Sequence, residues 1–404
     1  MVSFESAYKI VSNIDYRTGS HLIDFKNSLG RILAEDVISD MDMPPFDKSA
    51  MDGYACRYLD IKQELEVVEI IPAGKIPEKK IDQGQCAKIM TGAMLPEGAD
   101  CVIMVEDTAE KPDGKILYTR VVPNTELSET SSVDRRKLNI CYKGEDIKKD
   151  DIVIKKGTLI KAQHIAVMAS VGRINVMVAA LPKVAVIPTG NEIVEPTNLP
   201  LPSQIRNSNG PQLIAQLKNL GIEAQYCGIA ADAEIDTIAM IEKASHENEI
   251  LLLTGGVSKG DYDLVPAILK KLNFELHFDE IAVQPGKPTV FGNRGNIFCF
   301  GLPGNPVSGF VQFELLVKPL IFKMMGFDLN RINLSLTLGT DFTRKTDKRL
   351  AFIPVSVSEN GEAIPLEYHG SAHINGLDNA WGLMFVPVGK KFIKKGEKVD
   401  VRQI

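Results

Sequence analysis

The sequence lacks three features that would place it among nucleic-acid-binding, membrane or secreted proteins. It has no excess of positive charge, since the formal net charge is −6, so the basic surface that displaces phosphate counterions is missing. No apolar run approaches the roughly 18 to 20 residues of a membrane helix. The opening MVSFESAYKI carries an early acid and no apolar signal-peptide core. We therefore expect a cytoplasmic protein with no nucleic-acid or membrane partner.

Cysteine pairs at metal or redox spacing are also absent. The 6 cysteines are scattered without a C-x-x-C pair, and the 6 histidines do not cluster with them at zinc-ligand spacing. Scattered cysteines in a chain of this length are typical of reduced thiols that fill small spaces in a core. We expect free thiols and no zinc site.

Two nucleotide-binding signatures are missing as well. The pair Gly286-Lys287 is followed by proline, and Ile281 stands where the first glycine of a P-loop would be. No G-x-G-x-x-G opens the region of alternating strands and helices. A P-loop NTPase and an NAD-dependent dehydrogenase are therefore disfavoured.

The chain has 404 residues, which is enough for about two to four domains. Helical apolar spacing predicts helices over residues 4–14 and 28–35. Short β-rich runs between turns predict a small β-rich insert over residues 65–117, and short strands return after residue 326 as a small barrel or sandwich.

Strands alternate with helices between residues 182 and 325. KVAVIPTG, AQYCGIA, EILLLTGG and NIFCFGLPG have the composition of buried strands. Helices are predicted over residues 207–220, 235–245, 266–272 and 307–325, and a further one over residues 161–170 precedes this region. The alternation indicates a parallel sheet with helices on both faces.

Three glycine-rich turns follow predicted strands: PTGNE, TGGVSKGDYD and GLPGNPVS. The carboxyl ends of parallel strands are where such sheets bind ligands, and glycine lets backbone N–H groups approach a phosphate. Each turn alone is equally well explained as an ordinary tight connection. Three in one sheet favour a phosphate-bearing ligand.

Acidic and basic side chains accompany these turns. Carboxylates beside phosphate loops commonly hold Mg²⁺, and the acids at these turns are Glu192, Asp232, Asp261 and Asp263. The alternative for Asp232 or Asp261 alone is helix N-capping. Lys287, between two prolines in QPGKP, is either a solvated lysine or an anion-binding one.

Three segments outside the alternating region carry acids in turns: PPFDKSAMDGYA, IMTGAMLPEGAD and GED. We interpret the first as a long irregular loop, and such loops are more often functional than filler. Individually, all three are also explained as hairpin connections, because Gly and Asp are common turn residues.

In this order, PPFDKSAMDGYA, MTGAMLPEGAD, GED, PTGNE, TGGVSKGDYD, PGKP and GLPGNPVS resemble the molybdopterin molybdenumtransferase (MoeA) family, which is similar to the C-terminal domain of gephyrin. The resemblance spans nearly the whole chain. It implies a multidomain α/β plus β fold with these parts: an elongated discontinuous domain (1–43 with 147–178), a β-rich inserted domain (44–146), a three-layer molybdopterin-binding α/β domain (179–326) and a C-terminal β-barrel (327–404).

The resemblance also implies a reaction and its partners. Molybdate is inserted into adenylylated molybdopterin with Mg²⁺, and AMP and molybdenum cofactor are released. The enzyme is expected to be a homodimer in which the α/β domain of one subunit faces the inserted domain of the other. Contact with the molybdopterin adenylyltransferase is also expected.

Residue roles follow from the matching motifs. The resemblance makes Gly255, Gly256 and Ser258 the pterin-phosphate cradle, with Pro303 and Pro306 fixing the GLPGNP turn. It makes Glu192, Asp232 and Asp263 the Mg²⁺ carriers, and it gives Asp52, Thr91 and Asp146 functional roles in the inserted domain. The residues implied for the oxyanion pocket are Lys287, Ser308, Arg349 and Ser371.

Some positions depart from the family pattern. Many members carry lysine where this chain has Gln284, and often a basic residue near Glu280, while Lys143 stands where arginines commonly precede GED. Fewer cations weaken the electrostatic case for tight molybdate binding. Two alternatives to the transferase stay open: a molybdopterin-binding scaffold without turnover, and the related adenylyltransferase, which needs neither the insert nor the β tail.

Overall fold

The computed structural model describes residues 1–120, 138–257, 264–329, 333–367, 370 and 372–404. Its helices, in chain order, are α1 (Phe4–Ser12), α2 (Ala162–Ser170), α3 (Asn209–Lys218), α4 (Glu234–Ser245), α5 (Val265–Lys271), α6 (Pro306–Gln312) and α7 (Lys318–Met324). A π-helical turn, Phe313–Val317, joins the last two. These bounds lie within two residues of the corresponding predictions.

A six-stranded sheet forms the centre of the α/β region. Its strands, in spatial order, are Gln225–Tyr226, Val184–Pro188, Ile250–Thr254, Ile297–Leu302, Val290–Arg294 and Glu275–Phe278. The first four are parallel, as predicted. The last two are each antiparallel to their neighbours. Val290–Arg294 must be antiparallel to Ile297–Leu302, because the two-residue connection at 295–296 is too short for a parallel crossover. The sheet is therefore mixed. The four strands of the predicted strand–helix alternation are parallel, as expected, and two antiparallel strands that the sequence analysis did not predict extend one edge.

Both faces of this sheet are covered. Val184, Val186, Ile250 and Leu252 pack into one core with residues of α3 and α6. The alternate residues, such as Ala185 and Leu251, pack into a second core with residues of α4 and α5. Because successive side chains of a strand point to opposite faces, a strand buried on both sides must be largely apolar, which explains runs such as ILLL at residues 250–253.

The β-rich insert holds a four-stranded sheet. Its strands, in spatial order, are Glu66–Ile71, Gln85–Ile89, Gly53–Cys56 and Cys101–Met104. Strand Gly53–Cys56 lies inside this sheet and is fully buried, so the interpretation of PPFDKSAMDGYA as one long loop was wrong. Two small ribbons accompany the sheet: Thr108–Glu110 with Ile116–Tyr118, and Lys48–Ser49 with Ile140–Cys141.

Three cysteines lie in register across the insert sheet. Cys56 is opposite Cys86 on one neighbouring strand and opposite Cys101 on the other. All three are buried, as is Cys299, while Cys141 and Cys227 are only partly buried; all six thiols are unbridged. The prediction of reduced cysteines that fill cores therefore holds here.

Two chain segments distant in sequence pair beside the insert. Ser20–Asp24 pairs with Asn175–Ala179, and Val37–Ile38 with Ile152–Ile154. The helix predicted over residues 28–35 is absent, so that prediction was wrong. Instead Ile32 and Leu33 form bridges and enter two different cores, which requires the opposite-facing side chains of an extended chain.

The C-terminal region closes into a five-stranded barrel. Its strands, in spatial order, are Leu350–Val357, Glu362–Pro365, Leu334–Leu338, Lys398–Gln403 and Gly382–Val386, which pairs back with the first. Strand Val283–Gln284 adds to the barrel in parallel alongside Leu350 and Ala351. A separate ribbon joins Phe342–Thr343 to Phe392–Ile393, and Ile193–Val194 pairs with Ile205–Arg206 in the α/β region.

The first helix of the chain joins the barrel to the α/β core. The ring of Phe4 lies 5.0 Å from that of Phe352, which lies 4.8 Å from that of Phe385. Phe4 and Phe352 belong to the same core as the sheet residues Val184 and Leu252. Burial of α1 therefore depends on both regions at once.

We predict that Phe4→Ala lowers the free energy of unfolding by about 3–5 kcal/mol, because it leaves a cavity where three regions meet. Thermal and urea unfolding would measure the loss. Phe392→Ala is the control, since Phe392 is 47% exposed, and it should cost far less. Equal stabilities of the two variants would contradict the role of Phe4.

Candidate functional site

A cleft of about 680 Å³ opens at the carboxyl ends of the parallel strands. The turns after Val184–Pro188, Ile250–Thr254 and Ile297–Leu302 all contribute to its walls. Predicted site residues in its lining are Glu192, Gly255, Gly256, Pro303 and Pro306. The three glycine-rich turns therefore meet in one place, as sheet geometry requires.

Gly255 shows why glycine is needed in this first cleft. Its φ is +98°, and a Cβ atom there would lie 2.5 Å from the carbonyl oxygen of Thr189 on the neighbouring turn. Its N–H group donates to the carbonyl of Leu302 at 3.1 Å. The three turns are thus packed backbone against backbone, which leaves a cradle with small walls.

Asn209 ties two of these turns together, and the sequence analysis missed it. Its side-chain amide donates to the hydroxyl of Thr254 and to the carbonyl of Gly304, both at 2.7 Å. The side chain is buried at the start of α3. The only signal was an asparagine just before Pro211, which is also an ordinary helix-start pattern.

The carboxylates at this cleft differ in their surroundings. Glu192 lines the cleft and is exposed. Asp232 accepts a hydrogen bond from the N–H of Asn191 at 3.0 Å, while the N-cap of α4 is Ala233, without a side-chain cap. Asp232 therefore clamps the turn before Glu192 rather than capping a helix. Predicted residues Ser258, Asp261 and Asp263 lie outside the described residues.

A second cleft of about 1140 Å³ lies between the α/β region and the barrel. Lys287, Ser308 and Arg349 line it, together with the stretch from Thr340 to Lys345. Ser371, predicted with them, lies outside the described residues. Pro288, Pro303 and Asn305 line both clefts. The two clefts therefore meet at these three residues.

The QPGKP loop is held rigidly at this junction. Gln312 of α6 is fully buried and donates to the carbonyl of Pro285 at 3.1 Å. Gly286 has a φ of +98° and packs so closely on Gln312 that a side chain could not fit. The hydroxyl of Thr289 donates to the carbonyl of Gly286 at 2.7 Å. The position of Lys287 is thus set by buried contacts.

The segment that carries Arg349 is bound to the strand that leads into the loop of Lys287. The guanidinium of Arg349 donates to the carbonyl of Val283 at 2.9 Å, on the strand that leads into QPGKP. Arg344, which the sequence analysis missed, donates to the carbonyls of Arg349, Pro387 and Lys390 at 2.5–2.9 Å. Burial lowers the pKa of Arg344 below its ordinary value. Arg344 therefore fixes the segment that carries Arg349.

Family comparisons agree with this architecture. Residues 2–172 match the MoeA N-terminal region (domain I and II), residues 185–323 a probable molybdopterin binding domain, and residues 335–404 the MoeA C-terminal region (domain IV). The chain belongs to the MoeA family.

Individual relatives support the same membership for this MoeA-family chain. It is 35% identical over 414 residues to the molybdopterin molybdenumtransferase of Staphylococcus epidermidis, covering 99% of this chain and 95% of that protein. For the Staphylococcus aureus protein of the same name the identity is 34% over 390 residues, with 94% and 90% covered. A crystal structure of the molybdopterin biosynthesis MoeA protein from Pyrococcus horikoshii OT3 superposes with a TM-score of 0.83 at 29% identity, covering 100% of both chains.

The MoeA N-terminal region carries the remaining predicted residues. The carboxylate of Asp52 accepts from the N–H and the hydroxyl of Thr91, at 2.7 and 2.8 Å. Asp146 lies on a separate turn, where its N–H donates to the carbonyl of Met43 at 3.0 Å. None of the three lines either cleft of its own chain.

The described parts of this chain contain no helix with the length and hydropathy of a bilayer crossing.

The two hydrogen bonds from Thr91, the backbone one first, lower the pKa of Asp52 below its ordinary value. We predict that Thr91→Val raises this pKa, though not fully, because the backbone N–H still donates. A carboxyl-carbon NMR titration would measure it, with Thr158→Val as a distant control. An unchanged pKa of Asp52 would show that the hydroxyl contributes nothing.

Proposed function

We propose that this chain inserts molybdate into adenylylated molybdopterin in the presence of Mg²⁺ and releases AMP and molybdenum cofactor. The observation that carries the proposal is the meeting of the two clefts at Pro288, Pro303 and Asn305. One cleft offers small, glycine-lined turns, and the other offers cations. A ligand with a phosphate end and a site for an oxyanion would need such neighbours.

The first cleft is proposed to hold the pterin phosphate. Gly255 and Gly256 supply a close backbone approach, and Ser258 would add a hydroxyl. The buried links made by Asn209 keep the turns in place before the ligand arrives. Pro303 and Pro306 restrict the third turn. A cradle of this kind is rigid in advance, so little entropy is lost on binding.

Molybdate is proposed to bind in the second cleft as a tetrahedral dianion. Lys287 and Arg349 supply charge-assisted donors, and Ser308, with Ser371, supplies hydroxyls. The buried supports of the QPGKP loop and of the Arg344 segment fix where these donors lie. The dianion would thereby be held next to the ligand in the first cleft, which favours reaction by proximity.

Mg²⁺ would be held by carboxylates beside the first cleft. It prefers oxygen ligands and often uses only one or two carboxylates together with substrate phosphates. Exposed Glu192 on the cleft wall fits that requirement, and Asp263 and Asp232 are proposed as the other carriers. The described residues contain no cluster of three possible ligands, and substrate phosphate oxygens are proposed to contribute to the shell. When bound, the metal would neutralise phosphate charge.

The site is proposed to be completed by a second subunit. Asp52, Thr91 and Asp146 line neither cleft of their own chain, which supports a role for them at the ligand of a partner copy. A homodimer in which the insert faces the partner's α/β region would satisfy this condition. Transfer of the adenylylated substrate by contact with the adenylyltransferase is the corresponding proposal for its supply.

The proposed bounds of the parts are 1–43 with 147–178, 44–146, 179–326 and 327–404. The strand pairings between residues 20–38 and 152–179 support the discontinuous first part. The matched family regions at 185–323 and 335–404 support the last two.

AMP release from adenylylated molybdopterin with Mg²⁺, measured with and without molybdate, tests the activity directly. Molybdate-dependent AMP together with molybdenum cofactor is the expected result. Tight binding of molybdopterin without AMP would favour the scaffold alternative. Formation of adenylylated molybdopterin from ATP would favour the adenylyltransferase alternative.

We predict that Asp52→Ala and Glu192→Ala each abolish product formation in a folded protein. If the site is shared, a mixture of the two variants should recover about a quarter of wild-type activity. About half of randomly paired dimers would be mixed, and each mixed dimer would have one intact site.

Refolding the two variants together and measuring AMP release would check this recovery. Glu223→Ala is a control for Glu192, since Glu223 is exposed and lines neither cleft. If the mixture is as inactive as each variant alone, Asp52 and Glu192 do not act together in a site shared between two subunits.

We predict that Lys287→Ala raises the molybdate concentration for half-maximal rate about tenfold, the weight of one charge-assisted hydrogen bond. Lys318→Ala is the matched control. Lys318 also pairs with a glutamate, at 2.8 Å from Glu314, but lines neither cleft. Equal molybdate requirements of both variants would move the oxyanion elsewhere.

A further inference from the structure

Glu280 is a buried acid behind the wall of the second cleft. Its side chain is only 10% exposed, although glutamate is rarely buried without a charged partner. Its backbone is pinned by the start of the chain, because the N–H of Val2 donates to the carbonyl of Glu280 at 2.9 Å. The carbonyl of Val2 in turn accepts from Ala282 at 2.8 Å. The backbone that carries this side chain is therefore held in place.

The carboxylate of Glu280 forms an ion pair with Lys287. Lys287 Nζ lies 2.9 Å from Glu280 Oε1, and the lysine side chain is 42% exposed. The N–H of Ile281 donates to the carbonyl of Lys287 at 2.9 Å, so the two backbones are also held side by side. Lys287 thus lines the cleft while the carboxylate of Glu280 partly neutralises its charge.

Arg349, the other cation proposed to bind the oxyanion, is paired differently from Lys287. Arg349 lines the same cleft and donates to a neutral carbonyl, and among the described residues it makes no ion pair. Of the two cations proposed to hold the oxyanion, Arg349 therefore has no ion-pair partner among the described residues, whereas the charge of Lys287 is partly neutralised by Glu280. The cleft is also lined by Arg344, Lys345, Asp341 and Glu367. An anion near Lys287 is attracted by the lysine and repelled by Glu280.

We propose that Glu280 is a specificity-determining residue that sets how strongly the second cleft binds an oxyanion and how far it prefers dianions. This inference rests on the proposed function, since it places the oxyanion beside Lys287. The repulsion from one fixed charge is proportional to the charge of the ligand. Removing it must therefore help a dianion more than a monoanion of the same shape.

The test compares molybdate with perrhenate, a tetrahedral monoanion, by calorimetric titration of the full-length protein. Glu280→Gln keeps an acceptor for Lys287 but removes the charge. We expect it to tighten molybdate binding about tenfold and perrhenate binding about threefold, with an unchanged melting temperature. In turnover, the molybdate KM should fall while kcat stays the same.

Glu314→Gln is the matched control, because Glu314 has a similar ion pair at 2.8 Å and a side chain only 11% exposed. It changes the net charge equally, away from both clefts, and should leave both affinities unchanged. Equal or weaker molybdate binding by Glu280→Gln, or equal gains for both anions, would overturn the inference. Equal gains with Glu314→Gln would reduce it to an effect of net charge and overturn it too.

Lys287→Ala separates this inference from the function on which it rests. If that variant binds molybdate as the wild type does, the oxyanion lies elsewhere and the proposed site fails. If it binds molybdate more weakly while Glu280→Gln brings no gain, only the role of Glu280 fails. Should Glu280→Gln not fold, Glu280→Asp withdraws the charge by one methylene. A smaller gain for molybdate than tenfold, still larger than that for perrhenate, is then expected, and no gain overturns the inference.

Discussion

The hydrogen-bonded pairing of Val283–Gln284 with Leu350 and Ala351 is the contact on which the second cleft depends. Strand Val283–Gln284 belongs to the α/β region by its position in the chain, yet it pairs with a strand of the barrel. The pairing places the residue before Leu350 and the loop after Gln284 on the same wall, and the bond from Arg349 to Val283 closes it. The α1 contacts hold the barrel against the α/β core, and this shared strand sets the local separation of Lys287 and Arg349 across the cleft.

The two clefts divide their chemistry between backbone and side chains. The first is shaped by turns that pack backbone on backbone, as at Gly255 and Thr189, so its selectivity comes mainly from shape. The second depends on charged side chains whose settings differ, as those of Lys287 and Arg349 do. A shape-selective cradle tolerates few substitutions, whereas a charge-selective cleft can be tuned by one residue such as Glu280.

Local patterns in the sequence predicted much of the fold. The helices from α1 to α7 follow from apolar spacing and from glycine and proline at their ends, and the meeting of the three glycine-rich turns follows from parallel strands. The apolar run at Ile32 and Leu33 misled, because a short buried segment has the same composition as a helix face. The hairpin at residues 295–296 was overlooked although its turn residues signal it.

Contacts between distant segments could not be predicted in this way. No local pattern shows that Val283 pairs beside Leu350, or that Asn209 bridges Thr254 and Gly304. The grouping of Lys287 with Ser308 and Arg349 could be anticipated only through family resemblance. The sequence marked Glu280 only through the family resemblance, which implies a base near this position. Its burial and its ion pair with Lys287 are properties that the sequence alone does not show.

The row of Cys56, Cys86 and Cys101 across the insert sheet has a practical consequence. Burial raises the pKa of the Cys86 thiol to about 12, so thiolate, the reactive form, is scarce while the sheet is closed. Alkylation of these thiols can proceed only through opening of the sheet. Their modification rate therefore reports the local opening free energy of the insert, separately from the unfolding of the α/β core. Thiol modification at these three cysteines can therefore serve as a probe of the local stability of the insert.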